Sequence, residues 1–144
     1  MSQPHPVPDL VSYFAGVWSL EREIRDAAGE PVGSFTGTAR FCAEPGALTY
    51  REQGELRLGG HRGPAQRALR YVVTGPGQAE VYFDYGDFFH ALDLRTGSWQ
   101  AGHPCRDDFY RGTYRVLGPD RFEQCWQVSG PTKNHELVTV FDRA

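Results

Sequence analysis

The sequence lacks any apolar run that approaches the roughly 20 residues needed to span a bilayer. Its opening stretch, Met-Ser-Gln-Pro-His-Pro-Val-Pro-Asp-Leu, has neither the basic start nor the apolar centre of a secretory signal. We therefore expect a protein without a membrane partner.

A basic excess is also missing, because 15 Lys and Arg residues stand against 18 Asp and Glu residues, for a formal net charge of −3. Charge-driven binding to nucleic acid or anionic lipid needs a basic surface, so the composition argues against both partners. The three cysteines, Cys42, Cys105 and Cys125, are an odd number without the paired spacing of a zinc site. Free thiols and a cytoplasmic location are therefore expected.

The composition indicates one globular domain over residues 1–144, because 40% hydrophobic and 13% aromatic residues are enough to bury a core. The 17 Gly and 10 Pro residues are scattered along the chain, which favours short segments joined by turns. The chain shows no internal repeat, linker or low-complexity stretch. These features predict an all-β domain.

Alternation of apolar and polar side chains identifies the strands, because successive side chains of a strand face opposite sides of a sheet. Trp18, Leu20 and Ile24, for example, share one side of a strand with Arg22. Ten such segments are predicted, at 16–25, 34–41, 48–55, 67–73, 81–85, 88–94, 99–103, 108–116, 122–128 and 137–141. A short helical turn over 8–15 precedes them, and 59–64 are expected to form a loop.

Two strands leave their register open, because charged residues stand on both sides of 48–55 and 67–73 has no clear apolar side. We choose the register that turns the following residues inward: Leu48, Tyr50 and Glu52 in the first strand, and Leu69, Tyr71 and Val73 in the second. Ten short strands with one apolar side fit a closed antiparallel barrel, since closure leaves no edge to protect. A two-sheet sandwich is the alternative.

The run Phe14-Ala15-Gly16-Val17-Trp18 resembles the Gly-x-Trp that opens the first strand of lipocalins and related calycin barrels. Arg143 matches the position of the basic residue that packs across this tryptophan in the calycin pattern. Three longer stretches resemble a small bacterial family known only as a domain of unknown function: Gly16-x-Trp18-x-Leu20-x-Arg22-x-Ile24, His103-x-Cys105-x-x-Asp108-x-Tyr110-x-Gly112 and Trp126-x-Val128-x-Gly130-Pro131-x-Lys133. The resemblance implies a lipocalin-like barrel and assigns no activity.

Polar and aromatic residues share the inward side of several predicted strands, most clearly in 108–116. Burying several ionisable groups is costly unless they are paired or hydrated, so we expect a solvated cavity. The predicted catalytic residues are His90, His103, Asp108 and Tyr110. The predicted ligand-binding residues are Arg22, Glu52, Phe83, Phe88, Cys105, Tyr114, Gln124, Trp126 and Lys133.

Two functions fit this set of residues. The first is a cofactor-independent enzyme that cyclises, isomerises or dehydrates a small organic acid. In it, His90 or Asp108 would be the general base, Tyr110 or Tyr114 would donate to a developing oxyanion, and Arg22 would anchor the acidic group. The second is a non-catalytic protein that binds a small molecule against its aromatic side chains.

Structural roles are the alternative for the same residues, because Tyr114 and Trp126 also suit an aromatic core and Arg22 with Glu52 or Asp108 also suits a buried ion pair. No cofactor is expected. Two cofactors are kept as alternatives. One is a haem bound by His135, because the chain resembles nitrobindin barrels, whose iron ligand is a histidine on a late strand. The other is a zinc ion bound by His103, Cys105 and Asp108. The oligomeric state is left open.

Overall fold

The computed structural model describes residues 3–105 and 107–144, except for the side chain of Cys105. Within them the chain forms one short helix and ten antiparallel strands. These are α1 Leu10–Phe14, β1 Gly16–Arg25, β2 Pro31–Glu44, β3 Ala47–Leu58, β4 His61–Gly75, β5 Gln78–Phe83, β6 Phe88–Asp93, β7 Ser98–Cys105, β8 Asp108–Gly118, β9 Arg121–Ser129 and β10 Asn134–Arg143. The predicted all-β class and its ten strands are confirmed.

The strands form one sheet in the order β6-β5-β4-β3-β2-β1-β10-β9-β8-β7. The sheet curls into a nearly closed barrel, in which the edge strands β6 and β7 meet. The indole Nε1 of Trp99 on β7 donates a hydrogen bond of 2.8 Å to the carbonyl oxygen of Ala91 on β6. The two edges are therefore joined by a side chain, and the two-sheet sandwich is ruled out.

The two open registers were chosen correctly. Leu48 and Tyr50 on β3 are buried, as are Leu69 and Tyr71 on β4, and Glu52 faces inward with them. The loop predicted over 59–64 is wrong, because β4 already begins at His61. Gly59 turns the chain with a φ of +60°, which lets Leu58 and His61 pair directly.

A bulge in the β5–β6 hairpin changes which phenylalanine faces inward. Val81 pairs with His90, but Tyr82 pairs with Phe88, so Phe89 is the extra residue between them. Phe89 is buried, whereas Phe88 is 47% exposed and packs edge-on against Tyr82. The prediction that Phe88 faces the cavity is wrong, because simple alternation does not anticipate the added residue.

Helix α1 closes one end of the barrel. Asp9 caps it by accepting a 3.1 Å hydrogen bond from the backbone N–H of Ser12. Phe14 is fully buried, and the Trp18 indole donates to its carbonyl oxygen at 2.9 Å. The guanidinium of Arg143 lies 4.2 Å from the centre of the Trp18 ring. This contact confirms the expectation that Arg143 packs across Trp18.

The described thiols face away from the core. Cys42 is exposed and Cys125 is half-buried, and both are free. Burial raises the pKa of the Cys125 thiol to about 11, which keeps it protonated. The side chain of Cys105 lies outside the described part of the chain. Helix α1, the single helix within 3–105 and 107–144, is too short to cross a membrane.

Candidate functional site

A cavity of about 240 Å³ lies inside the barrel, away from α1. Strand β9 shows the separation, because Phe122 near its start packs on Phe14 of α1 and Val128 near its end lines the cavity. The wall combines aromatic and aliphatic side chains with a few polar ones: Arg22, Arg67, Phe83, Tyr85, Phe89, His103, Tyr110, Gln124, Trp126, Val128, Leu137 and Thr139. Such a wall is typical of a small-molecule site.

A larger depression of about 570 Å³ lies over β2, β3 and β4. Among the side chains around it, Thr38, Arg40, Arg51 and Gln53 are exposed. It lacks the buried aromatic wall of the cavity, so the cavity is the stronger candidate for a specific site.

Four stacked rings lead from the mouth of the cavity to its interior. Tyr85 stacks on Phe83 with 5.3 Å between ring centres, Phe83 on Phe89 with 4.5 Å, and Phe89 on Trp126 with 4.9 Å. Tyr85 is 71% exposed, while Phe89 and Trp126 are buried. A planar ligand can therefore enter along an aromatic surface.

Gly112 fixes the position of Trp126. The two residues are paired on β8 and β9, and a Cβ atom on Gly112 would lie only 2.6 Å from the Trp126 ring. The indole therefore rests against backbone at a distance that no other residue at position 112 permits. This packing holds the ring in the cavity wall.

A row of side chains crosses four neighbouring strands in register. Arg22 on β1 pairs with Thr139 on β10, Thr139 with Gln124 on β9, and Gln124 with Tyr114 on β8. Gln124 is only 6% exposed, and its amide lines the cavity. Within the described residues, this amide makes no hydrogen bond to protein. Its donors and acceptor are thus available to a ligand.

An ion pair continues this row from β1 across β2 to β3. Arg22 donates to both carboxylate oxygens of Glu52 at 2.7 and 3.0 Å, and its Nε donates to Thr139 Oγ1 at 2.8 Å. The Tyr50 hydroxyl also donates to Glu52. Burial alone would raise the pKa of Glu52, but hydrogen bonds from Arg22 and the charge of Arg67 hold it below its usual range.

Arg67 is a cation that the sequence analysis missed. It pairs with Glu52 in the β3–β4 ladder and lines the cavity, with its side chain 42% exposed. Its Nη2 lies 3.6 Å from Glu52 Oε1, beyond hydrogen-bond distance. The sequence did carry a signal for it: Tyr71 and Leu69 face inward, and Arg67 is the next residue in the same alternation.

His90 is held in a buried chain of hydrogen bonds behind the wall. Its Nδ1 lies 2.7 Å from the carbonyl oxygen of Ala91, which can only accept, so Nδ1 carries the proton. Nε2 therefore accepts from the Tyr114 hydroxyl at 3.2 Å. Burial lowers the pKa of His90 to about 4. Its ring contacts Phe89 and Trp126 from behind and does not line the cavity.

The other predicted catalytic residues divide into two groups. His103 and Tyr110 line the cavity with their rings edge to face, 6.2 Å between centres. Asp108 shares the inward phase of Tyr110 on β8 but is not one of the residues that line the cavity. As the first residue of β8 it lies at the barrel rim, against Gly130 and 3.5 Å from the ammonium group of Lys133. Lys133 is likewise outside the cavity wall.

The residues brought together are thus mainly those of the predicted ligand-binding set. Arg22, Phe83, Gln124 and Trp126 line the cavity, and Glu52 and Tyr114 support it from behind. Cys105 belongs to the prediction too, but its side chain lies outside the described residues.

The family model of DUF6314, a family of unknown function, matches residues 14–143. The chain belongs to this family. A search of the curated proteins found no match to this DUF6314 member.

Three solved structures share its fold. The S-type phycobiliprotein lyase CPES from Guillardia theta has a TM-score of 0.66 at 9% identity, covering 97% of this chain and 93% of its own. A DUF3598 protein of unknown function from Nostoc punctiforme has a TM-score of 0.65 at 10% identity, covering 98% of this chain and 51% of its own. The protein EF1p2_mFAP2b, solved bound to DFHBI, has a TM-score of 0.53 at 13% identity, covering 96% and 99%. At these identities the likeness shows the fold alone.

His135, the histidine considered as a haem ligand, lies outside the cavity wall, in a depression that Asp26 and Glu136 also line. Among the described side chains, no three His, Cys, Asp or Glu residues lie close enough to hold a metal ion. Asp108, expected in a zinc site, faces Lys133 instead.

Proposed function

We propose that this DUF6314 barrel binds a small, planar, aromatic molecule in its cavity. The amide of Gln124 is the observation that carries the proposal. Among the described residues no buried side-chain polar atom lacks a hydrogen-bond partner, so the Gln124 amide, which bonds to none of them, is open to the cavity. A ligand atom can therefore hydrogen-bond to this amide in place of water.

The shape of the wall supports a planar ligand. Phe83, Phe89 and Trp126 present successive ring faces, and offset stacking against such faces is favourable for aromatic molecules. A volume of about 240 Å³ admits a molecule of one or two fused rings. A barrel of similar fold, EF1p2_mFAP2b, was solved bound to DFHBI, which supports a ligand site in this barrel.

Binding is favoured over catalysis by the position of the titratable groups. Of the four residues predicted to be catalytic, only His103 and Tyr110 line the cavity. His90 has both ring nitrogens engaged, so it has no free nitrogen to remove a proton from a ligand. The acid–base enzyme therefore rests on His103 and Tyr110 alone, and we propose a binding protein.

Titration with 2-naphthol, 2-naphthamide and 2-naphthoate tests the proposal. Tryptophan fluorescence and calorimetry measure the binding of each probe. At least one probe should quench Trp126, and the variant Trp126→Phe should remove that part of the signal. The variant Gln124→Leu keeps the approximate volume of the side chain but removes its amide, so binding of that probe should weaken about tenfold.

Gln127→Leu is the matched control, because Gln127 lies three residues further along β9, on the outer face, where it bonds to Glu136. It should leave binding unchanged. Absence of binding by all three probes at millimolar concentration would refute the proposed function. Equal losses in the two glutamine variants would show that the Gln124 amide is not a ligand contact.

A further inference from the structure

We propose that the ligand is an anion, an aromatic carboxylate or a compound of similar charge, and that Arg67 binds its charged group. The inference rests on the proposed function, because it concerns the same cavity. It replaces the expectation that Arg22 anchors an acidic ligand.

Arg22 is already fully engaged. Its two terminal nitrogens donate to the two oxygens of Glu52, and its Nε donates to Thr139. A ligand carboxylate at Arg22 would have to displace Glu52, leaving that carboxylate buried without its main partner. Arg22 therefore forms part of the wall and does not act as the anion site.

Arg67 has the opposite properties. It contacts Glu52 only at 3.6 Å, and among the described residues no other carboxylate forms an ion pair with it. Glu52 is already compensated by Arg22, so the charge of Arg67 is in excess. Its side chain lies at the mouth, half-exposed, where an entering anion can reach it.

The rest of the wall reinforces this charge. Among its described residues, the cavity wall contains two arginines and no aspartate or glutamate. Asp108, which was predicted to face inward, is neutralised by Lys133 outside the wall. A guanidinium beside a partly dehydrated aromatic pocket favours a planar anion, because Arg offers paired donors to a carboxylate. Gln124 then offers a second polar contact deeper in the cavity.

Calorimetric titration of the intact protein with 2-naphthoate and 2-naphthamide tests this inference, since the two probes have similar size and shape and differ in charge. The carboxylate should bind about tenfold more tightly than the amide. The preference should shrink at high salt, because the Arg67 side chain is partly exposed.

Arg67→Gln should abolish the preference for the carboxylate, and Arg67→Lys should restore part of it. Arg70→Gln is the matched control, because Arg70 lies on the same strand, faces outward and pairs with Glu44. It changes the net charge equally and should retain the preference. Circular dichroism of each variant establishes that it is folded.

The outcomes separate this inference from the function on which it rests. Equal binding of the carboxylate and the amide to wild type would overturn the anion assignment and leave cavity binding intact. A carboxylate preference that persists in Arg67→Gln would overturn the role of Arg67. Absence of binding by either probe, together with 2-naphthol, would overturn the proposed function and this inference with it.

Discussion

Replacing Glu52 by glutamine should destabilise the barrel more than any other loss of a single carboxylate. Glu52 is buried and accepts hydrogen bonds from Arg22 and Tyr50. The amide that takes the place of the carboxylate would still accept one of these bonds but would carry no charge. The guanidinium of Arg22, only 12% exposed, would then be buried without a full counter-charge.

The expected loss follows from the cost of leaving one member of a buried ion pair unpaired, about 3–5 kcal/mol. We expect the lower end, about 3 kcal/mol, because Thr139 still accepts a hydrogen bond from Arg22. Repulsion between the guanidinium groups of Arg22 and Arg67 adds little, since Arg67 lies at the mouth of the cavity. For a chain of 144 residues, this corresponds to a fall in melting temperature of about 10 °C.

Thermal and urea unfolding of Glu52→Gln, Arg22→Met and the double variant Arg22→Met/Glu52→Leu measure the effect. The double variant should recover much of the stability that either single variant loses, because it leaves no buried charge. Glu55→Gln is the control, since Glu55 lies on the same strand and forms exposed pairs with Arg57 and Arg62. It should leave the stability almost unchanged, because exposed ion pairs are screened by solvent and contribute little.

The same carboxylate predicts a dependence on pH. The pKa of Glu52 is lower in the folded chain than its ordinary value of 4.5, so protonation favours unfolding. Its contribution is therefore complete above pH 4.5 and is lost as the pH falls below that value. If Glu52→Gln proves no less stable than Glu55→Gln at pH 7, the ion pair does not support the fold as we argue.

Three further predictions concern other parts of the molecule. Burial lowers the pKa of His90 from 6.5 to about 4, so wild type should lose about 3 kcal/mol of stability as the pH falls from 6.5 towards 4. His90→Phe should flatten this part of the profile. Urea unfolding at pH 7 and pH 4.5 measures the loss of stability, and an equal loss in wild type and His90→Phe would show that His90 is not its source. Gly112→Ala should displace the Trp126 ring, lower stability by about 1–3 kcal/mol and weaken 2-naphthamide binding at least tenfold, as measured by melting and calorimetry; normal binding would show that Trp126 is free to move. Asp108→Asn should change probe affinity by less than about twofold and stability by about 1 kcal/mol or less, because its partner Lys133 is half-exposed. A large loss of affinity in this variant would show that Asp108 takes part in ligand binding.

The barrel could be predicted from sequence because its strands keep a strict alternation. Trp18 and Leu20 on β1, and Phe35 and Phe41 on β2, are buried in the phase that the sequence indicates. Burial of one face fixes the register, since a shift by one residue would expose the whole apolar side. The prediction failed at Phe88, where a bulge added Phe89 without any change in residue type.

The site was harder to predict because alternation gives the face of a residue but not its depth in the barrel. Arg22, His90, Gln124 and Asp108 were all assigned to the inner face. The structure places Gln124 in the cavity wall, His90 behind it and Asp108 at the rim. Depth depends on how strands are staggered around the barrel, and long-range pairing supplies that information.

The ion pair between Arg22 and Glu52 also explains how a polar cavity and an apolar core share one small barrel. Towards the end of the barrel that α1 closes, Glu52 accepts from Tyr50, whose ring packs on Phe41. Towards the other end lies the cavity, where the positive charge of Arg67 is in excess. The pair satisfies the charges that face the core, so the apolar end stays free of unpaired polar groups. Because Arg22 is used in this way, the recognition of an anion falls to Arg67, and the two arginines should respond differently to substitution: loss of Arg22 should lower stability, and loss of Arg67 should lower affinity for the carboxylate.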